Sequence, residues 1–361
     1  MDFTLGDDRQ ALVDVLGRSL RERYGIERRR AAAREAPGHD RDTWRQLAEL
    51  GAIGALFDAD RGGFGGAPFD VTAVFETTGH ALLGEPLLPV LMAGQALPDA
   101  TLEAVIAGER VVGIALYEPQ SRYDWRNVAT RAIRDGDGWT LTGSKAVVPH
   151  AEAADALVVS ARTPDGALAL FLVPTDAAGV AIRGYATNDG QRAGEVRLTG
   201  VALPGDARIG DEADAGRAVA IGTLALCAEA VGIMTWLKDA TLDYLRTRVQ
   251  FGAPIGRNQA LQHRMAEVLI EIEQARSAVI NAAAAFAGDD AARDTALAAA
   301  KYTIGASATR VAEEAIQLHG GIGMTAELAL SHYARRAIMI DHELGDADHH
   351  LGRYIALTAA A

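Results

Sequence analysis

The chain has 361 residues, 49% of them apolar, enough for two or three domains with cores of ordinary size. A formal charge of −13 repels phosphate backbones, so no nucleic-acid partner is expected and any anionic ligand must be held by local groups. The single Cys227 excludes an intramolecular disulfide, and the acidic start at Asp2, Asp7 and Asp8 lacks the basic flank and apolar run of a leader, so the expected compartment is the cytoplasm.

In chain order, apolar residues first recur at helical spacing: Leu12, Val13, Leu16 and Leu20, then Trp44, Leu47 and Leu50. Asp40 and Asp42 are candidate N-caps and Gly51 a candidate stop, so residues 1–110 read as a helical domain. The glycine-dense Arg61-Gly62-Gly63-Phe64-Gly65-Gly66 has helices on both sides instead of a preceding strand, and is expected to be an interhelical turn rather than a phosphate loop. Near Val111 the pattern changes to short β-rich runs: Val111–Leu116, Trp139–Val148, Ala156–Ala161, Leu168–Val173, Val180–Tyr185 and Glu195–Leu203. Asp135-Gly136-Asp137-Gly138 and Pro164-Asp165-Gly166 supply hairpin turns between such runs. Residues 111–210 therefore read as a small β domain of barrel or sandwich type.

From Gly216 onward long helices resume over Arg217–Arg248, Gln259–Ala287 and Ala291–Leu318, and residues 211–361 read as a helical bundle. The apolar stretch Val219–Leu237 is nearly long enough to span a bilayer, but Glu229 interrupts it and Gly222 and Gly232 suit close packing; a buried core helix is expected, with no membrane partner. Near the C-terminus, Asp346, Asp348, His349 and His350 place carboxylates beside imidazoles. Neighbouring side chains on a helix diverge by about 100°, so a cap at Asp346 is expected and no metal site. The predicted class is α+β in the order helix, sheet, helix.

Two segments in the last third point to a ligand. Arg248-Val249-Gln250-Phe251-Gly252-Ala253-Pro254-Ile255-Gly256 leads into Asn258-Gln259; a helix end, a shaped loop and a capped helix start form, with the Arg248 guanidinium, an anion cradle. Glu314-Ala315-Ile316-Gln317-Leu318-His319-Gly320-Gly321-Ile322-Gly323-Met324-Thr325 stops a helix at paired glycines, which admit a ligand close to the backbone and leave Gln317 as an amide reader.

Together these segments, RVQFGAPIG followed by QALQH and then AIQLHGGIGMTAE, resemble the two signatures of the acyl-CoA dehydrogenases, and the likeness extends to the Asp60–Gly65 turn and to Arg208-Ile209-Gly210. It implies an N-terminal all-α domain, a middle β domain and a C-terminal four-helix bundle. It further implies a tetramer packed through the helices Gln259–Ala287 and Ala291–Leu318. In it Arg248, Gln250, Phe251, Ile255, Gln259, Gln317, Gly320 and Gly321 reach the adenosine diphosphate part of an FAD seated mainly on the neighbouring subunit.

The chain departs from the family pattern on the flavin-ring side. Where most members have a threonine-glutamate-proline and a small Gly-Ala-Gly-Ser loop, it reads Tyr117-Glu118-Pro119-Gln120-Ser121-Arg122-Tyr123. Where they have a tryptophan two residues before threonine or serine, it reads Val147-Val148-Pro149-His150. The family's base positions fall on Leu344 and Gly222, neither a carboxylate; Glu343, one residue away, and Glu229, lone in its apolar helix, are the candidate bases. The favoured expectation is the partner subunit of a heterotetramer acting on an acyl-CoA thioester with an electron-transfer flavoprotein as acceptor. The alternatives are a self-sufficient homotetramer with Glu343 as base, or a flavin monooxygenase on the same fold.

Overall fold

The computed structural model describes residues 6–359. Six helices come first: α1 (Asp7–Arg23), α2 (Ile26–Arg34), α3 (Arg41–Glu49), α4 (Pro68–His80), α5 (Leu87–Gly94) and α6 (Asp99–Ile106). Asp40 caps α3 by accepting from the amides of Asp42 and Thr43. The Arg61–Gly66 segment is an interhelical turn: Gly62 and Gly66 take φ of 87° and 83°, and a side chain on Gly63 would strike the Phe57 carbonyl.

Next come β1 (Val112–Ala115), β2 (Arg131–Asp135), β3 (Gly138–Pro149), β4 (Ala156–Arg162), β5 (Leu168–Pro174), β6 (Val180–Ala186), β7 (Arg192–Leu203) and β8 (Arg208–Asp211). They form one sheet in the order β6-β7-β3-β2-β4-β5-β8, with β1 parallel to β4. The long antiparallel β3–β7 and β4–β5 pairs carry its core, where Trp139 meets Phe171 edge to face. β2 escapes a reading by alternation because only Ala132 of its five residues is buried, the others being exposed. The two-residue turn Gly136-Asp137 instead fixes it against β3.

The chain then runs into α7 (Glu212–Thr247), the short hairpin of β9 (Val249–Gln250) and β10 (Ala253–Pro254), α8 (Gln259–Ala285), α9 (Asp290–His319), α10 (Ala329–Asp341) and α11 (Ala347–Ala359). The apolar stretch of α7 is 94% buried, the core helix expected from Glu229 and the two glycines. Asp346 accepts from the His349 amide at the start of α11, as a cap should. By contacts the described residues form two compact units: one of residues up to 26, 68–83 and from 223 onward, the other of residues 27–67 and 84–222. In the first, α9 packs against α8, α10 and α11, and α4 against α1 and α8.

Candidate functional site: two open loops and two filled half-sites

The loop after α7 is a hairpin in which Gln250 pairs with Ala253 and Val249 with Pro254. Its two central residues, Phe251 and Gly252, take φ of 53° and 79°, the geometry of a two-residue hairpin turn. That is ordinary for glycine and strained for phenylalanine, whose side chain is fully exposed. Nothing within the first unit rewards this arrangement, so it suits a contact supplied from outside. Arg248, Gln250 and Gln259 are exposed and Ile255 is half-buried. Among the described residues Arg248 makes no side-chain hydrogen bond or ion pair.

Asn258 stands at the N-cap of α8 but does not cap it, contrary to the sequence expectation. Its amide donates backward to the Ile255 carbonyl (2.9 Å). The Leu261 amide turns to the Asn258 carbonyl, so the Gln259 and Ala260 amides at the start of α8 are the ones left to an outside acceptor, the condition for an anion site at a helix start.

The second loop begins where α9 ends. Gly320, with φ 69° and ψ −150°, forms the C-cap and leads into a short turn through Met324. Gly321 has no such backbone constraint, and a Cβ on it would meet no atom within 4 Å. Its lack of a side chain leaves room beside an exposed backbone, as an approaching ligand requires. Gln317 is exposed on the last turn. Tyr244, one turn before Arg248, stacks on His319, one residue before Gly320, with ring centroids 4.4 Å apart. The His319 Nδ1 is held at 2.8 Å from the Ala315 carbonyl, and burial lowers its pKa, keeping the stacked ring neutral. This stack joins the feet of the two loops; neither residue was singled out from sequence, because an i−4 aromatic and a terminal histidine look like ordinary core.

Elsewhere in the same unit the candidate bases are engaged. Arg336 on α10 is 2% exposed and grips Glu229 in bidentate fashion, Nε to Oε1 at 2.7 Å and Nη2 to Oε2 at 2.9 Å, while its Nη1 donates to Glu343. Two carboxylates thus share one buried guanidinium. The turn carrying Glu343 and Leu344 is pinned by Lys301, whose buried Nζ donates to the carbonyls of Ile340, Asp341 and Gly345. Leu344, at φ 55°, gives its carbonyl to His350 Nε2 (3.0 Å). Arg336 lies on the apolar stripe of Tyr333, Ala337 and Ile340, and a charged residue in such a stripe was the overlooked signal.

In the second unit, the 117–123 loop consumes its own donors. The Glu118 amide donates to Ser121 Oγ, which donates to the Asn127 carbonyl. The Glu118 carboxylate accepts from Ala129 and Thr130 amides and forms a buried ion pair with Lys145 at 2.7 Å. Burial alone would raise the Glu118 pKa; the Lys145 charge and these donors hold it at about 2 instead. Lys145, pulled down to about 8 by burial against the attraction of Glu118, stays protonated at neutral pH. Ala146 donates to the Tyr117 carbonyl, which sets this loop beside the irregular stretch of β3, where Val147 (φ 52°) is 60% exposed. Arg122 is also left-handed (φ 46°) and exposed.

Residues 214–352 match the acyl-CoA dehydrogenase C-terminal domain and residues 113–201 the acyl-CoA dehydrogenase middle domain. The chain belongs to the acyl-CoA dehydrogenase family. Among similar proteins are the acyl-CoA dehydrogenase FadE27 of Mycobacterium tuberculosis, 29% identical over all of both chains, and the probable acyl-CoA dehydrogenase YngJ of Bacillus subtilis, 30% identical over 87% of this chain and 88% of that one. A chain of the ChsE4-ChsE5 complex from Mycobacterium tuberculosis superposes with a TM-score of 0.92 at 28% identity over all of both chains. A variant of the Tcur3481-Tcur3483 steroid ACAD gives 0.90 at 31% identity over 99% of each. The family consists of FAD-dependent oxidoreductases, and the α+β class with helical, sheet and helical parts in chain order is that of its solved members. Arg248 and Gly321 both lie within the matched C-terminal domain.

Proposed function

We propose that this chain is the partner subunit of a heterotetrameric acyl-CoA dehydrogenase, lending the adenosine half of an FAD site to a sister subunit that holds the flavin ring and the base. The supporting observation is the contrast inside one unit: the Arg248 and Gly321 loops present unused donors, while Glu229 and Glu343 are both spent on Arg336. The sheet-side loop at 117–123 is likewise closed by its own hydrogen bonds.

The open loops fit the diphosphate and adenosine of FAD. Arg248 and the α8 start would meet the diphosphate charge, Gln250, Gln259 and Gln317 would read polar edges, Phe251 and Ile255 would offer apolar contact, and Gly320 and Gly321 would let the backbone approach. Bound FAD supplies a hydride acceptor for α,β-dehydrogenation of an acyl-CoA thioester, with electrons passing to an electron-transfer flavoprotein. This chain's share is to hold the cofactor. Glu229 and Glu343 keep Arg336 neutralised instead of removing an α-proton, and the work takes place in the cytoplasm. In this reading residues 1–110, 111–210 and 211–361 act as helical, sheet and bundle domains, and α8 and α9, which expose Leu269, Ile270 and Tyr302, pack the tetramer.

The deciding experiment purifies the chain alone and with a candidate sister subunit and measures flavin absorbance and stoichiometry. Flavin retained only in the mixed complex supports the proposal. A chain that alone binds FAD, dehydrogenates acyl-CoA and fails as Glu343→Gln is the self-sufficient enzyme instead.

A further inference from the structure

A cavity of about 540 Å³ opens among α1, α4, α7 and α8, and its lining includes no residue of either loop and none of Arg336, Glu229 and Glu343. Its volume lies in the range of small-molecule sites. Phe69, Val231, Val279 and Ile280 contribute apolar wall, and Arg18 and Arg21 stand on α1 with side chains three residues apart on one helix face. Among the described residues neither of these two arginines forms a hydrogen bond or ion pair, in a chain whose net charge of −13 offers carboxylates freely. The other charged lining groups are Asp14, which accepts from Gln10 Nε2 at 2.8 Å, and Glu76, held by Arg276. Three guanidiniums therefore face two carboxylates that already have donors.

We propose that this cavity is a second binding site that takes an amphipathic carboxylate, its hydrocarbon body against the apolar wall and its head on Arg18 and Arg21. A charged head is required because the two unpaired, exposed guanidiniums of the lining gain most from an anion, in shorter and stronger hydrogen bonds than a neutral group accepts. An apolar body is required because the larger part of the wall is apolar and offers no polar partner. Its lining shares no residue with the Arg248 or Gly321 loop, and all of it belongs to one unit of this chain.

The test is isothermal titration of the full chain with dodecanoate below its micelle concentration, beside dodecanol as the uncharged match. The expected result is saturable binding of one dodecanoate per chain, at least tenfold tighter than dodecanol. The double substitution Arg18→Ala with Arg21→Ala should weaken dodecanoate at least tenfold while leaving the circular dichroism spectrum unchanged. Ile280→Trp, which fills the wall without touching the arginines, should weaken both ligands together. Absent saturation, equal affinity for acid and alcohol, or indifference to the arginine substitutions would each overturn the proposal.

Discussion

Two regions of the same helical unit treat charge in opposite ways. Around Arg336 a cation and two carboxylates are folded into one another, and a fourth group, Lys301, caps three carbonyls of the adjoining turn. At the Arg248 and Gly321 loops an exposed guanidinium, an exposed phenylalanine and an uncrowded glycine are all left without internal partners. A buried polar network that satisfies itself is structural, whereas donors and apolar groups that a fold leaves unused on strained backbone invite a ligand or another subunit. In this chain the first arrangement is internally satisfied and the second is left open.

The largest effect that can break this comparison is at Arg336. Arg336→Ala leaves two carboxylates in a site made for three charges, and loss of one member of a buried ion pair typically costs ~3–5 kcal/mol. A marked fall in the thermal midpoint of the chain is expected by calorimetry; a change within error would mean the trio contributes nothing to the fold. Next comes Arg248→Ala, which removes a charge-assisted contact of ~1.5–3 kcal/mol and should loosen FAD in the assembled complex by roughly tenfold to a hundredfold. Ultrafiltration with flavin fluorescence reads this directly, and unchanged retention would break the open half of the comparison.

The sheet side sharpens it through pH. Glu118 has its pKa lowered from 4.5 to about 2, so it contributes stability that is complete above about pH 4.5 and is lost as pH falls toward 2. Glu118→Gln removes this charge and should flatten the acid limb of a stability-against-pH curve measured by urea unfolding; an identical acid limb in both proteins would deny the carboxylate that role. The smallest expected effect is Glu343→Gln. A carboxamide still accepts from Arg336, so turnover of the complex should stay near the parent value, whereas a base replaced by its amide loses on the order of a hundredfold or more.

Much of this was legible in the chain. The helical and β periods located most elements, the Gly-Asp turn located the β2–β3 hairpin, and the α7 glycines with Glu229 marked a core helix. The signatures around Arg248 and Gly320 named the family because each is a local sequence that builds its own loop: a hairpin turn with two left-handed residues, and a helix stopped by a glycine. Local backbone chemistry is carried by neighbours in sequence, so it can be read without a fold.

Sequence could not decide what Glu229 and Glu343 do. Their common partner is Arg336, 107 and 7 residues away respectively, and periodicity does not report which charge meets which across helices. The same holds for Glu118 with Lys145, 27 residues apart, and for the Tyr244–His319 stack that joins the two loops. The sequence by itself determined most of the elements and the family, and it singled out the Arg248 and Gly320 loops. Only the tertiary structure decided which carboxylates are already taken, because the protonation and reach of a buried acid depend on the groups packed against it and not on its place in the chain.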